Sequence, residues 1–205
     1  MAPVYKLSSS SVKNGRMLYG SMLAGNASWT DPDTGAMFPL QVVTVGAAGA
    51  SSVTFTNIPN TYAHLQIRYL GRSSQSATET GLNLRLNGDT GSNYAAHYIF
   101  GDGASASSGA NTSQTSVNML NISGASATAN SFAVGVIDVL DYASTNKNKT
   151  IRQLMGWDGN GSGRVALTSG LWFATPAAVT SVNLYPSSGS FAQYSQFALY
   201  GVKSA

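Results

Sequence analysis

The chain has 205 residues, no cysteine, 22 glycines and only 9% charged residues. The lack of cysteine excludes disulfides, thiolate nucleophiles and thiolate metal sites. With Glu79 as the single glutamate, surface helices are poorly supplied, and the composition suits short strands joined by polar turns. Three cations, Lys6, Lys13 and Arg16, precede the first acid, Asp31, and match the formal charge of +3; the other 8 basic residues balance 8 acidic ones. That balance argues against the basic folded face of a nucleic-acid-binding protein. No apolar run approaches the roughly 20 residues that span a bilayer, and the N-terminus lacks the apolar core of a secretory leader, so no membrane partner is expected.

Residues 1–36 scatter apolar side chains among Ser, Gly and Asn without a sustained helical or strand period. Such a segment buries too little of its own surface to offset ordering entropy. It reads as an extended N-terminal arm whose anchors Leu18, Leu23 and Trp29, with Lys6, Lys13 and Arg16, meet a partner surface. The body, 37–205, opens with strands at 37–45 and 53–55, and NIPN at 57–60 turns the chain. Over 64–71, Leu65, Ile67 and Tyr69 alternate with Gln66, Arg68 and Leu70; over 82–86, three leucines alternate with Asn83 and Arg85. A shorter strand is expected at 97–100. Residues 101–116, nearly all Gly, Ala, Ser, Asn and Thr, read as a surface loop, and 117–122 as another strand.

Residues 131–173 read as three successive antiparallel strands that form the centre of the sheet. In the first, both parities are apolar apart from Asp138, the pattern of a strand buried on both faces. DGNGSG at 158–163 supplies residues that take positive φ at low cost, so a hairpin turn is expected. Val182, Leu184 and the segment 196–202 close the domain. Nine to eleven strands and no helix predict an all-β fold: an antiparallel β-sandwich, jelly-roll-like, carrying the arm.

Five blocks, VTFTNIPNTYAHLQIRYLGR at 53–72, LRLNGDTGSNYAAHYIFGDG at 84–103, VIDVLDYASTNKNKTIRQLMGWDGNGSG at 136–163, SGLWFATPAAVTSVNLYP at 169–186 and SQFALYGVK at 195–203, together resemble tailed-bacteriophage virion structural proteins. The arm does not share the resemblance. It implies a β-sandwich placed in a virion that is assembled in the host cytoplasm. The partners it implies are other virion proteins, major capsid or tail subunits, and further copies of the chain. A head decoration or cement protein held by its arm is the first expectation, a tail component the second, and a module that binds host surface glycans the alternative from another class.

No enzyme chemistry is favoured by the residues. His64 and His97 are the only histidines, 33 residues apart, and read as structural rather than as metal ligands. Asp158, Asn160 and Ser162 imitate the start of a calcium loop, but the twelfth position is Ser169 instead of a bidentate Glu. Asp138 and Asp141, three apart on a strand, point to opposite faces and do not make a glycosidase pair. Asp138 is expected to be buried against an arginine of an adjacent strand, with Arg68, Arg85 and Arg152 as candidates. Tyr94, Tyr98, Tyr185, Tyr194 and Tyr200 are offered to strand packing, with a protein interface or a sugar ring as alternatives. Asn26, Asn111 and Asn148 begin glycosylation-type triplets that reflect turn-rich composition. No cofactor and no catalytic residue is expected.

Overall fold

A computed structural model describes residues 36–203. The arm positions Lys6, Lys13, Arg16, Leu18, Leu23 and Trp29 lie outside the described residues. The twelve strands of the body are β1 (Met37–Thr44), β2 (Val53–Phe55), β3 (His64–Gly71), β4 (Glu79–Leu86), β5 (Tyr94–Gly101), β6 (Ala106–Gln114), β7 (Val117–Ser123), β8 (Ala133–Leu140), β9 (Lys149–Asp158), β10 (Gly163–Trp172), β11 (Val182–Pro186) and β12 (Gln196–Val202).

These strands build two antiparallel sheets, one of eight strands in the order β1-β12-β3-β8-β9-β10-β5-β6 and one of four in the order β2-β11-β4-β7. Setting aside the hairpins β5–β6 and β9–β10 leaves eight strands. Renumbered in chain order, they run 1-8-3-6 in one sheet and 2-7-4-5 in the other, which is the jelly-roll winding of two Greek keys. Both extra hairpins join the same sheet beyond β8 and double its width.

The core is the slab between the sheets, because alternate residues of each strand point inward. Leu82, Leu84 and Leu86 from the small sheet and Leu65, Ile67, Ile137, Val139, Ile151, Phe197 and Leu199 from the large one are fully buried. Arg72 ties the crossing between the sheets. Its guanidinium donates to the carbonyls of Ala125, Ala127, Thr128 and Ser131, on the segment that carries the chain from β7 to β8.

Several glycines are sites of close approach. Tyr69 lies opposite Gly135 in the β3–β8 register, and a methyl group on Gly135 would stand 2.5 Å from the tyrosine ring. Tyr98 covers Gly109 of β6 in the same way. The hydroxyl of Tyr69 reaches over β8 to accept a hydrogen bond from Gln153 Nε2 of β9 at 2.6 Å, with Gln153 fully buried. Burial also raises the Tyr69 phenol far above its usual range.

Three sequence expectations change. Residues 106–114 are a strand, not part of a loop; β6 is the sheet edge, open to water on nearly every residue, so no apolar alternation marks it. Twelve strands form among the described residues instead of nine to eleven. β8 is not buried on both faces, because nothing among the described residues covers the outer side of the large sheet, and Val134 there is 50% exposed.

Candidate interaction surface

The register places the outward side chains of the large sheet in rows that run across the strands. One row carries Leu70, Val134, Gly156, Val165 and Gly101 on β3, β8, β9, β10 and β5. The next carries Val42, Ala198, Arg68, Val136, Leu154, Leu167 and Ile99, starting from β1 and β12. A third, polar row follows with Tyr200, Gln66, Asp138, Arg152, Ser169 and His97. Val42, Leu154, Val165 and Ile99 are each more than half exposed. Single exposed apolar residues are ordinary on a protein surface, whereas a contiguous set such as this one is the kind of surface that partners cover.

Two shallow hollows dent this face. One, of about 520 Å³, is bounded by Val134, Val136, Leu154 and Val165 around Gly156. Gly156 lines its floor without a side chain, and a Cβ there would stand in ordinary contact with Arg164 O at 3.7 Å and Val165 Cγ2 at 3.9 Å. The other, of about 540 Å³, lies between Ile99, Leu167 and His97 and the edge strand residues Ser108, Gly109 and Ala110.

The polar row is internally paired. Arg152 Nη2 donates to Asp138 Oδ2 at 2.8 Å, Gln66 Nε2 to Asp138 Oδ1 at 2.9 Å, and Arg68 Nε to Gln66 Oε1 at 3.1 Å. Of the three arginines considered for Asp138, the adjacent register partner Arg152 makes the ion pair. Arg68 reaches it only through Gln66, and Arg85 lies on the other sheet, donating to Thr115 O and stacking over Tyr185. The pair lies on the outer face instead of within the sheet: the Asp138 side chain is 16% exposed, only partly buried, and the Arg152 side chain 65% exposed.

At one end of the sandwich a polar cleft of about 290 Å³ opens beside Asp102, Trp157, Asp158, Arg164 and the Asp158–Gly163 turn. Its strongest groups already have partners. Arg164 Nη1 pairs with Glu79 Oε1 at 3.1 Å and donates to Asn121 Oδ1, while its guanidinium lies over the Phe100 ring; Trp157 Nε1 donates to Glu79 Oε2. The turn takes the hairpin form expected from DGNGSG. Asn160 and Gly161 have φ of 57° and 106°, Gly159 N donates to Ser162 O, and Asp158 Oδ1 accepts from Asn160 N.

The remaining sequence candidates do not converge on one site. His64 and His97 lie four strands apart on the sheet, roughly 19 Å. His64 Nδ1 accepts from the Asp141 backbone N–H. Asp141 occupies a left-handed turn, φ 48°, and accepts from Lys147 Nζ; that hydrogen bond and the lysine charge hold its carboxyl below the usual range. Tyr94 is buried, its hydroxyl bonded to the Leu86 backbone, and burial raises it to about 12; Tyr200 lies beside Arg68 and Tyr194 stands exposed. No shared aromatic platform results.

No family model, curated protein or solved structure matches the chain.

Two features escaped the sequence reading. The outer face was present in the pattern, as apolar residues at both parities of β8 and β10, but that pattern also describes two-sided burial. Lys149 had no signal at all. It is fully buried at the start of β9, with Nζ donating to Ser144 O and Lys147 O at 2.6 Å each, and burial lowers its pKa.

Proposed function

We propose that this chain is a non-enzymatic structural protein of a bacteriophage particle, specifically a head decoration or cement protein, with a tail component as the neighbouring assignment. The observation that supports a contact role is the uncovered apolar face of the eight-stranded sheet. Four of its strands, β5, β6, β9 and β10, are additions to the jelly roll, and they bring Ile99, Leu154, Val165 and Leu167 to the surface. Strands added to a wound core with apolar side chains turned outward broaden a surface for partners. The virion assignment is supported by the resemblance of the five sequence blocks; those at 53–72 and 136–163 supply β3, β8 and β9, the middle of this face. Capsid or tail subunits and further copies of the chain are the partners, and residues 1–36 are proposed as the attachment to the particle through Leu18, Leu23 and Trp29.

Copy number in purified particles of the encoding phage tests this. Hundreds of copies fit the head, a small ring number fits the tail, and absence from washed particles overturns the reading. A chain beginning at Met37 is expected to fold and to lose incorporation; normal incorporation would remove the arm from the attachment.

A further inference from the structure

Resting on the reading of the outer face as a contact surface, we propose that its partner is a second copy of the same chain, packed face to face about a two-fold axis. The axis runs across the strands between the Leu154 row and the Gly156 row. Such an operation lays each strand of the face antiparallel over its own counterpart and exchanges the two apolar rows, an isologous contact in which residue i meets residue j and j meets i. Two sheets packed this way are aligned and about 10 Å apart, the geometry of sandwich interiors.

The pairing that results is complementary at each place along β9. Leu154 of one copy stands over Gly156 of the second, so an exposed leucine enters the hollow that the glycine leaves open. On β5 and β10, Ile99 meets Gly101 and Leu167 meets Val165 of the second copy by the same exchange. One step further out on β9, Arg152 comes opposite Asp158 of the second copy, since residues 152, 154, 156 and 158 share the outer side of the strand and the axis passes midway along them. Opposite charges therefore face each other at both rims.

Area and desolvation also fit. Six strand spacings, from β1 to β5, of about 4.8 Å by about 20 Å of strand length give roughly 600 Å² for each copy, the lower end of standard interfaces at about 600 to 1,000 Å² for each partner. Gln66, Asp138 and Arg152 already bond to one another and Arg68 gives its Nε to Gln66, so the Arg68 Nη groups, brought opposite Leu70, are the main donors that the contact must leave to water. The sheet edges suit strand addition less well. The β1–β12 register shifts between Pro39 and Gln41, and the β5–β6 register shifts between Tyr94 and Ala96.

The test is the molar mass of the full-length chain by sedimentation velocity and light scattering. The wild type is expected at dimer mass at micromolar concentration, and Leu154→Asp and Leu167→Asp at monomer mass. Both side chains are exposed in the single chain, so a cooperative thermal transition is expected to show that the fold is intact, at a melting temperature lowered only by the lost association and independent of concentration. Asp158→Arg is expected to weaken the dimer by roughly tenfold, since it sets two cations opposite each other. A wild type that stays monomeric at roughly 100 µM, or a Leu154→Asp variant with wild-type mass, overturns the second-copy proposal. Particle incorporation of Leu154→Asp separates the two readings. Failure to incorporate beside a monomeric wild type keeps the face as a contact for another virion chain, whereas normal incorporation beside a monomeric wild type overturns both.

Discussion

Replacing Gly135 by alanine tests how the large sheet is held together. The added methyl would lie 2.5 Å from two ring carbons and the hydroxyl oxygen of Tyr69, well inside van der Waals contact. Tyr69 cannot yield freely, because its ring is buried and its hydroxyl is fixed by Gln153. Overpacking of this kind costs about 1 to 3 kcal/mol, and displacing the ring from a fully buried Gln153 adds a similar cost for the lost hydrogen bond. The expected destabilisation of Gly135→Ala is about 4 kcal/mol, a fall in melting temperature of roughly 12 °C for a domain of this size. Thermal and urea unfolding measure it. In a Tyr69→Leu background the ring is gone, and the same Gly135→Ala change should cost less than about 1 kcal/mol, a coupling that a double-mutant cycle isolates. A single Gly135→Ala variant within about 0.5 kcal/mol of wild type would refute the account of tyrosine packing over glycine.

Asp89 predicts acid sensitivity. Partial burial opposes its ionisation, but hydrogen bonds from Trp172 Nε1, Asn93 Nδ2 and Gly91 N outweigh this and leave its folded pKa below the unfolded value. Its contribution is therefore present above the unfolded carboxyl pKa of about 3.9 and lost as pH falls through the folded one; Asp89→Asn should flatten the stability curve below about pH 4, and an unchanged acid limb would contradict this. Lys149→Met removes two charge-assisted bonds to loop carbonyls and should cost about 3 kcal/mol in urea unfolding, with neutrality showing that the loop holds without them. Asp138→Ala, measured in the Leu154→Asp background that keeps the outer face open, should cost about 1 kcal/mol or less; a loss several times larger would mean that the pair is buried within the sheet itself.

The winding was legible where burial is one-sided. β3 and β4 alternate cleanly because one face of each meets the core, and the DGNGSG turn was legible because positive φ restricts the residue types there. β6 was not, since an edge strand held by backbone pairing and by Tyr98 over Gly109 needs no apolar pattern of its own. The register that brings Arg152 beside Asp138 depends on pairing across the connection 141–148. Sequence proximity left three arginines open, and the pairing selects one. The outer face was misread because apolar residues pointing both ways are identical in sequence whether the second layer belongs to the same molecule or to another.

The two ends of the body leave from one corner. Met37 pairs with Val202, and Lys203 N still donates to Ala36 O, so β1 and β12 begin and end side by side at the edge of the large sheet. Tension applied between these two ends would open the β1–β12 ladder one bond at a time, like a zipper, and the body would yield at low force. Tension between the Met37 end and a partner seated on the outer face would instead load the rungs from Met37 to Thr44 together, in shear, where many bonds must fail at once. In the proposed virion role, a particle that swells under internal pressure would keep this protein attached by pulling it in the second way.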